Sequence, residues 1–220
     1  MVQGTANGST QVRELVFALA HEIANLLAGS RLEAGLLDAS AGTRELREAA
    51  ERISEISARA GSLLAMLRPL LAPEAVAAVP IDSLELLEGL RSGLDEASDS
   101  RVVIALKTAV EVPSVLLAPD TVHHLLLTAI WAGLEAAPAG GMLRVHCRGE
   151  GDRVAFVVED DGAEIDLDPG GELRGRPLTL AVARAVLAAM AGRLEVTRSG
   201  APEAAAGCTQ TVFEFPAAPG

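Results

Sequence analysis

Apolar residues in the first seventy positions recur at three- and four-residue steps, the period of a helix that buries one stripe. Within 10–37 the stripe is Val12, Val16, Leu19, Ile23 and Leu26, the seam of a packed helix. A second stripe runs through Leu46, Ala49, Ile53, Ile56, Ala60, Leu63, Leu67 and Leu70 without a break and predicts a helix over 44–71. Pro69 sits in its last turn and should kink or end it. "DASAGT" at 38–43 reads as the turn between the helices, and the polar, glycine-containing residues 1–9 as a disordered N-terminus. Residues 10–72 are thus expected to form an antiparallel helical hairpin. Alone, such a hairpin leaves half its apolar surface wet. A second copy would complete a four-helix bundle, which predicts a homodimer; the alternative is that the hairpin packs on the chain's own second half.

"APEAVAAVP" has the composition of a linker, placed at 73–80, and beyond it the periods change. "IDSLELLEGLRSGLDEAS" predicts a helix, "RVVIALKT" and "SVLLA" strands. "PDTVHHLLLTAIWAGLEAAP" predicts a helix that Pro119 and Asp120 start. "GMLRVHCRGEGDRVAFVVED" reads as two strands turning around 149–151. A loop of about fifteen residues precedes a helix at 177–191, and strands "RLEVTR" and "TQTVFEF" close the chain. The mixture indicates an α+β chain whose second domain, 81–217, is an α/β sandwich with helices on one face of a mixed sheet.

Composition narrows the partners. Half of the 220 residues are hydrophobic, so the chain folds, but only four Phe and one Trp are aromatic and the core must be aliphatic. The net charge of −12, with Lys107 as the single lysine, argues against nucleic acid, and no basic stretch suggests a membrane surface. Cys147 and Cys208 are too few for a disulfide framework. With no signal-peptide pattern and apolar runs that charges and prolines interrupt, the expected location is the cytoplasm.

Candidate chemistry lies in "HEIAN" at 21–25. If the seam faces inward, His21 points to solvent, Asn25 projects one turn on, and Glu22 adjoins them. A neutral imidazole is a good nitrogen nucleophile. Phosphoryl transfer through it needs exposure, a carboxylate nearby and small neighbours so that a phosphate can approach in line. Ala18, Ala24, Ala28 and Gly29 supply the low relief. On spacing alone an exposed helical histidine is more often inert. His123 and His124 have no second ligand pair at metal spacing, and no metal site is expected. Asp160 and Asp161 suit a cation or an ordinary turn equally.

A hairpin bearing H-E-x-x-N followed by an α/β domain resembles the core of sensor histidine kinases, over about residues 10–217. "HEIANLL" is similar to that family's H-box, with Leu26 where a proline is usual. The resemblance implies His21 as phosphoacceptor, Glu22 as its acid/base partner and Asn25 as the residue that orients water in phosphatase-competent members. It also implies a Bergerat-type ATP-binding domain. "HHLLLTAIWAGLEAAPAGG" follows the family's N-box outline, but Thr128 and Ala132 stand at its two asparagines, the second a magnesium ligand. In "VEDDGAEI" the adenine-reading carboxylate, Asp160, and Gly162 are kept, while Glu164 replaces the second glycine. In "GRPLTL" Gly175 is kept, Pro177 lacks an amide and Thr179 adds a β-branched side chain where backbone should approach phosphate.

This pattern of loss resembles the histidine phosphotransferases of the ChpT type, in which such a hairpin carries a degenerate kinase-like domain. The resemblance implies a homodimeric phosphorelay protein that moves a phosphoryl group between response-regulator receiver domains through His21. It implies no ATP and no cofactor of its own, magnesium being supplied by the receiver. The rivals are an ATP-dependent histidine kinase or phosphatase and a non-catalytic pseudokinase scaffold that binds response regulators.

Overall fold

The computed structural model describes residues 3–36, 42–72, 78–97, 103–108, 112–138, 140–162, 175–199 and 208–219. Two long helices come first, α1 (Gln3–Leu36) and α2 (Thr43–Leu71). Helix α1 begins at Gln3, upstream of the expected start, so most of the segment read as disordered forms its first turns. Once a seam has nucleated a helix, each further residue adds a hydrogen bond, and a polar lead-in can follow. At the start of α2 the Gly42 N–H donates to Glu45 Oε2 at 3.0 Å, and Pro69 lies two residues before its end.

The second unit contains β1 (Val79–Ile81), α3 (Ser83–Ala97), β2 (Val103–Thr108), β3 (Val115–Leu117), α4 (Pro119–Ala136), β4 (Met142–Glu150) and β5 (Arg153–Asp160). It ends with α5 (Gly175–Ala189), β6 (Arg193–Ser199) and β7 (Cys208–Pro216). The end of the expected linker is structured: Val79 and Pro80 belong to β1, which pairs antiparallel with β3. Residues 73–77 lie outside the described residues, as does most of the turn at 38–43. The main sheet has the order β2-β4-β5-β7-β6, parallel only between β2 and β4. Asp82 Oδ1 caps α3 by accepting the Leu84 and Glu85 amides at 2.7 and 3.3 Å.

Along β5, Val154, Phe156 and Val158 join the main core, while Ala155 and Val157 alternate onto the other face beside Val212. That outer face is laced with charge: Arg144 meets Glu159 at 2.6 Å, and Gln210 donates to Glu159 at 2.7 Å. The inner face receives α4 and α5 and holds Phe156, Phe213 and Phe215, all fully buried.

The hairpin is not a separate module. Leu15, Leu19 and Ile23 of α1 and Ala60, Leu63 and Met66 of α2 share one apolar cluster with Leu126 and Ile130 of α4 and Leu178 and Val182 of α5. Each of these side chains larger than alanine contributes about 1.5–3 kcal/mol by leaving water. The Arg59–Glu135 ion pair at 2.5 Å and a 3.0 Å contact between Ser62 Oγ and His124 Nδ1 tie α2 to α4. The alternative of packing on the chain's own second half therefore holds for this side of the hairpin. The other side leaves Leu27, Leu46, Leu64 and Leu71 exposed. By length and composition one stretch, Val12–Gly35, is apolar enough to cross a membrane; it lies within α1, whose inward face packs as described.

Candidate functional site

Helix α1 sets the first part of the site. Leu19 is fully buried, and at about 100° per residue the position two on faces away from it. His21 is accordingly exposed, and so are Ala24, Asn25 and Ala28 on the same side. Glu22 turns the other way. It is half-buried and lines a cleft where α1 and α2 meet α4 and α5, with Arg59, Thr128, Ala132, Glu135, Gly175 and Thr179. The structure thus brings Glu22 together with four residues of the degenerate boxes and leaves His21 and Asn25 on the solvent face.

The second lobe supplies the rest. Thr128 Oγ1 donates to the His124 carbonyl at 2.6 Å, one turn back on α4, so its hydroxyl is committed to its own helix. Ala132 is 4% exposed and presents only a methyl. Asp160 ends β5 and is 1% exposed. Arg176, the second residue of α5, clamps this carboxylate from both sides: Nη1 donates to Oδ1 at 3.1 Å and Nη2 to Oδ2. The Gly162 amide also donates to Oδ1 at 2.9 Å. A bidentate guanidinium–carboxylate pair out of water is among the stronger polar contacts a protein makes.

Gly162 is required by close approach, since a Cβ there would lie 2.6 Å from both Ala136 Cβ and Asp160 Oδ1. Gly175 opens α5 at φ +53°, which favours glycine. Leu178 and Leu180 turn into the core, while Pro177 and Thr179 stay half-buried. Glu164 lies outside the described residues. Asp161 Oδ2 accepts the Met142 amide at 2.8 Å, so of the two carboxylates read as a turn or a cation site, one is paired with arginine and the other holds a strand end. Among the described residues no group of three His, Cys, Asp or Glu converges as a metal site.

Sequence reasoning missed Arg176, Arg59 and Glu135. Nothing in the periodicity distinguishes Arg176, and only its position between Gly175 and Pro177, in the box that adjoins Asp160, could have drawn notice. Trp131 is buried, and among the described residues its Nε1 has no hydrogen-bond partner. Burial pushes the Cys147 thiol up to about 12, and burial followed by the carboxylates of Glu159, Asp161 and Asp160 raises Cys208.

No protein-family model matches the chain, and no curated protein matches it in sequence. Solved structures do match in shape. The Acinetobacter baumannii histidine kinase AdeS superposes with a TM-score of 0.60 at 13% identity, over 91% of this chain and 96% of that one. A histidine kinase from Burkholderia phymatum gives 0.55 at 16%, over 98% and 100%. The catalytic domain of histidine kinase ThkA gives 0.55 at 16%, over 64% of this chain and 99% of that one. The fold is therefore that of a histidine kinase core: a helical hairpin joined to an ATPase-like α+β domain. At these identities the likeness is one of architecture.

Proposed function

We propose that this chain is a phosphorelay histidine phosphotransferase that accepts a phosphoryl group from one receiver aspartate on His21 and passes it to another without using ATP. The observation that carries this reading is the clamp of Arg176 on Asp160. The carboxylate that would read adenine is saturated by the chain's own guanidinium and the Gly162 amide, while His21 stands open to a protein partner. The neighbouring positions agree. The Thr128 hydroxyl proton is held by the His124 carbonyl, Ala132 offers no oxygen to a hard cation, and Pro177 has no amide for phosphate. These residues do not fit a magnesium triphosphate.

In the forward step a lone pair of the neutral His21 ring attacks phosphorus. The P–O bond to the receiver aspartate breaks, the carboxylate leaves with the bonding pair, and an N–P bond forms. The proton on the other ring nitrogen passes to water, since Glu22 turns into the cleft and away from the exposed ring, and return transfer to a second receiver reverses the sequence. Magnesium belongs to the receiver. Asn25, exposed one turn beyond His21, would orient water should the phosphoryl group be hydrolysed. The exposed Leu27 of α1, with Leu46, Leu64 and Leu71 along one edge of α2, supports a homodimer through the hairpin. The surroundings expected of such a relay are cytoplasmic.

The test is to mix the chain with receiver domains charged by acetyl phosphate, without ATP. Wild type gains acid-labile phosphate, and His21→Ala gains none; equal absence of label in both sinks the reading. A second reading, an ATP-dependent histidine kinase or phosphatase, draws on the fold, since one structural neighbour is full-length ShkA in complex with AMPPNP, at TM-score 0.59, 18% identity and 94% of this chain (46% of that one). It predicts that ATP and magnesium alone label His21. Receiver binding that survives His21→Ala, with no phosphate moving, would instead identify a scaffold.

A further inference from the structure

The chain has four phenylalanines. Phe156, Phe213 and Phe215 are fully buried, whereas Phe17 is 80% exposed on α1. Leu32, on the same helix, is 66% exposed. Neither side chain serves a contact already described. At 100° per residue Phe17 lies about 40° around the helix from His21 and Leu32 about 20° from it, whereas Leu27, on the bundle side, lies about 120° away. Phe17 is one turn before His21 and Leu32 three turns after it. Ala24, Asn25 and Ala28 form a low, exposed floor between them.

Phe17 stands about 6 Å along the axis from His21, and Phe17 and Leu32 together span about 22 Å. A protein interface of ordinary size covers about 800 Å² per partner, a patch roughly 30 Å across. A folded domain that brings an aspartyl phosphate within bonding distance of His21 therefore covers Phe17, and a patch of that width set toward the C-terminal end of α1 also takes in Leu32, about 16 Å from His21 along the axis. Large, rigid, exposed aromatics near the centre of such a patch tend to carry a disproportionate share of its affinity.

We propose that Phe17 and Leu32 are the anchors that seat the phosphoryl-carrying receiver over His21, and that the receiver presents apolar recesses on either side of its phosphoaspartate. The inference rests on the phosphotransfer reading and adds to it the residues that set partner affinity. Both positions are solvent-exposed, so polar variants keep the fold.

The experiment uses the full chain with two phosphodonors: phosphoramidate, small enough to need no docking, and receiver domains from the same genome charged by acetyl phosphate. Phe17→Ser is expected to accept phosphate from phosphoramidate at the wild-type rate. From the receiver its kcat/KM falls at least tenfold through KM, with kcat little changed. Phe17→Leu recovers most of the loss, and Leu32→Ser repeats the KM effect. A wild-type KM in Phe17→Ser overturns the inference, and so does its dissociation to monomers in sedimentation, which would place Phe17 between copies of the chain. If wild type takes phosphate from phosphoramidate but from no receiver, the phosphotransfer reading itself fails.

Discussion

Arg176 and Asp160 are the pair on which the nucleotide question turns. Their side chains are 11% and 0% exposed, so each charge depends on the other. Breaking a buried pair on one side typically costs about 3–5 kcal/mol, because the remaining charge is stranded. Arg176→Ala is therefore expected to lower unfolding free energy in denaturant titrations by about 3 kcal/mol. Adding Asp160→Asn should restore part of the loss, since the amide oxygen still accepts from Gly162. Cys147 gives a pH prediction. Its folded-state value is raised by burial from 9.0 to about 12, so its contribution is present below pH 9 and is lost as pH rises towards 12. The denaturation midpoint should fall across that window, and Cys147→Ala should flatten the fall. A thiol this far from ionising should also resist iodoacetamide at pH 8 until the chain unfolds.

Among the elements, α2 has two tasks. One side closes the hairpin with α1, and the other sits on α4, where Met66 is fully buried, Ser62 meets His124 and Arg59 meets Glu135. A cluster that crosses both parts should unfold with both. Met66→Ala is expected to cost about 2–5 kcal/mol, and to do so for hairpin and lobe together. Far-UV circular dichroism reports mostly on the helices, and Trp131, the single tryptophan, reports on the α4 face of the cleft. Their guanidinium transitions should coincide in wild type and shift together in the variant. A hairpin that melted at its own midpoint would show two weakly coupled modules instead.

Across the whole molecule, much of the architecture was legible in one dimension. The unbroken α2 stripe, the change of period after residue 80 and the strand–turn–strand around Gly151 all follow from how far apart apolar residues recur. The outward aim of His21 follows from the same spacing, because two residues past a buried position on a helix is the opposite side. The degenerate boxes were legible as substitutions, though not in their consequences. That Glu22 enters the cleft, that the hairpin shares a core with α4 and α5, and that Arg176 reaches back to Asp160 depend on segments distant in the chain meeting in space. Local period constrains which side of an element is apolar and leaves open what that side meets. By itself, then, the sequence determined most of the elements, the exposed imidazole and the substitutions in the boxes. Only the tertiary structure decided that a carboxylate is filled by the chain's own arginine, because the charge of a buried group can be balanced only by whatever folding places beside it.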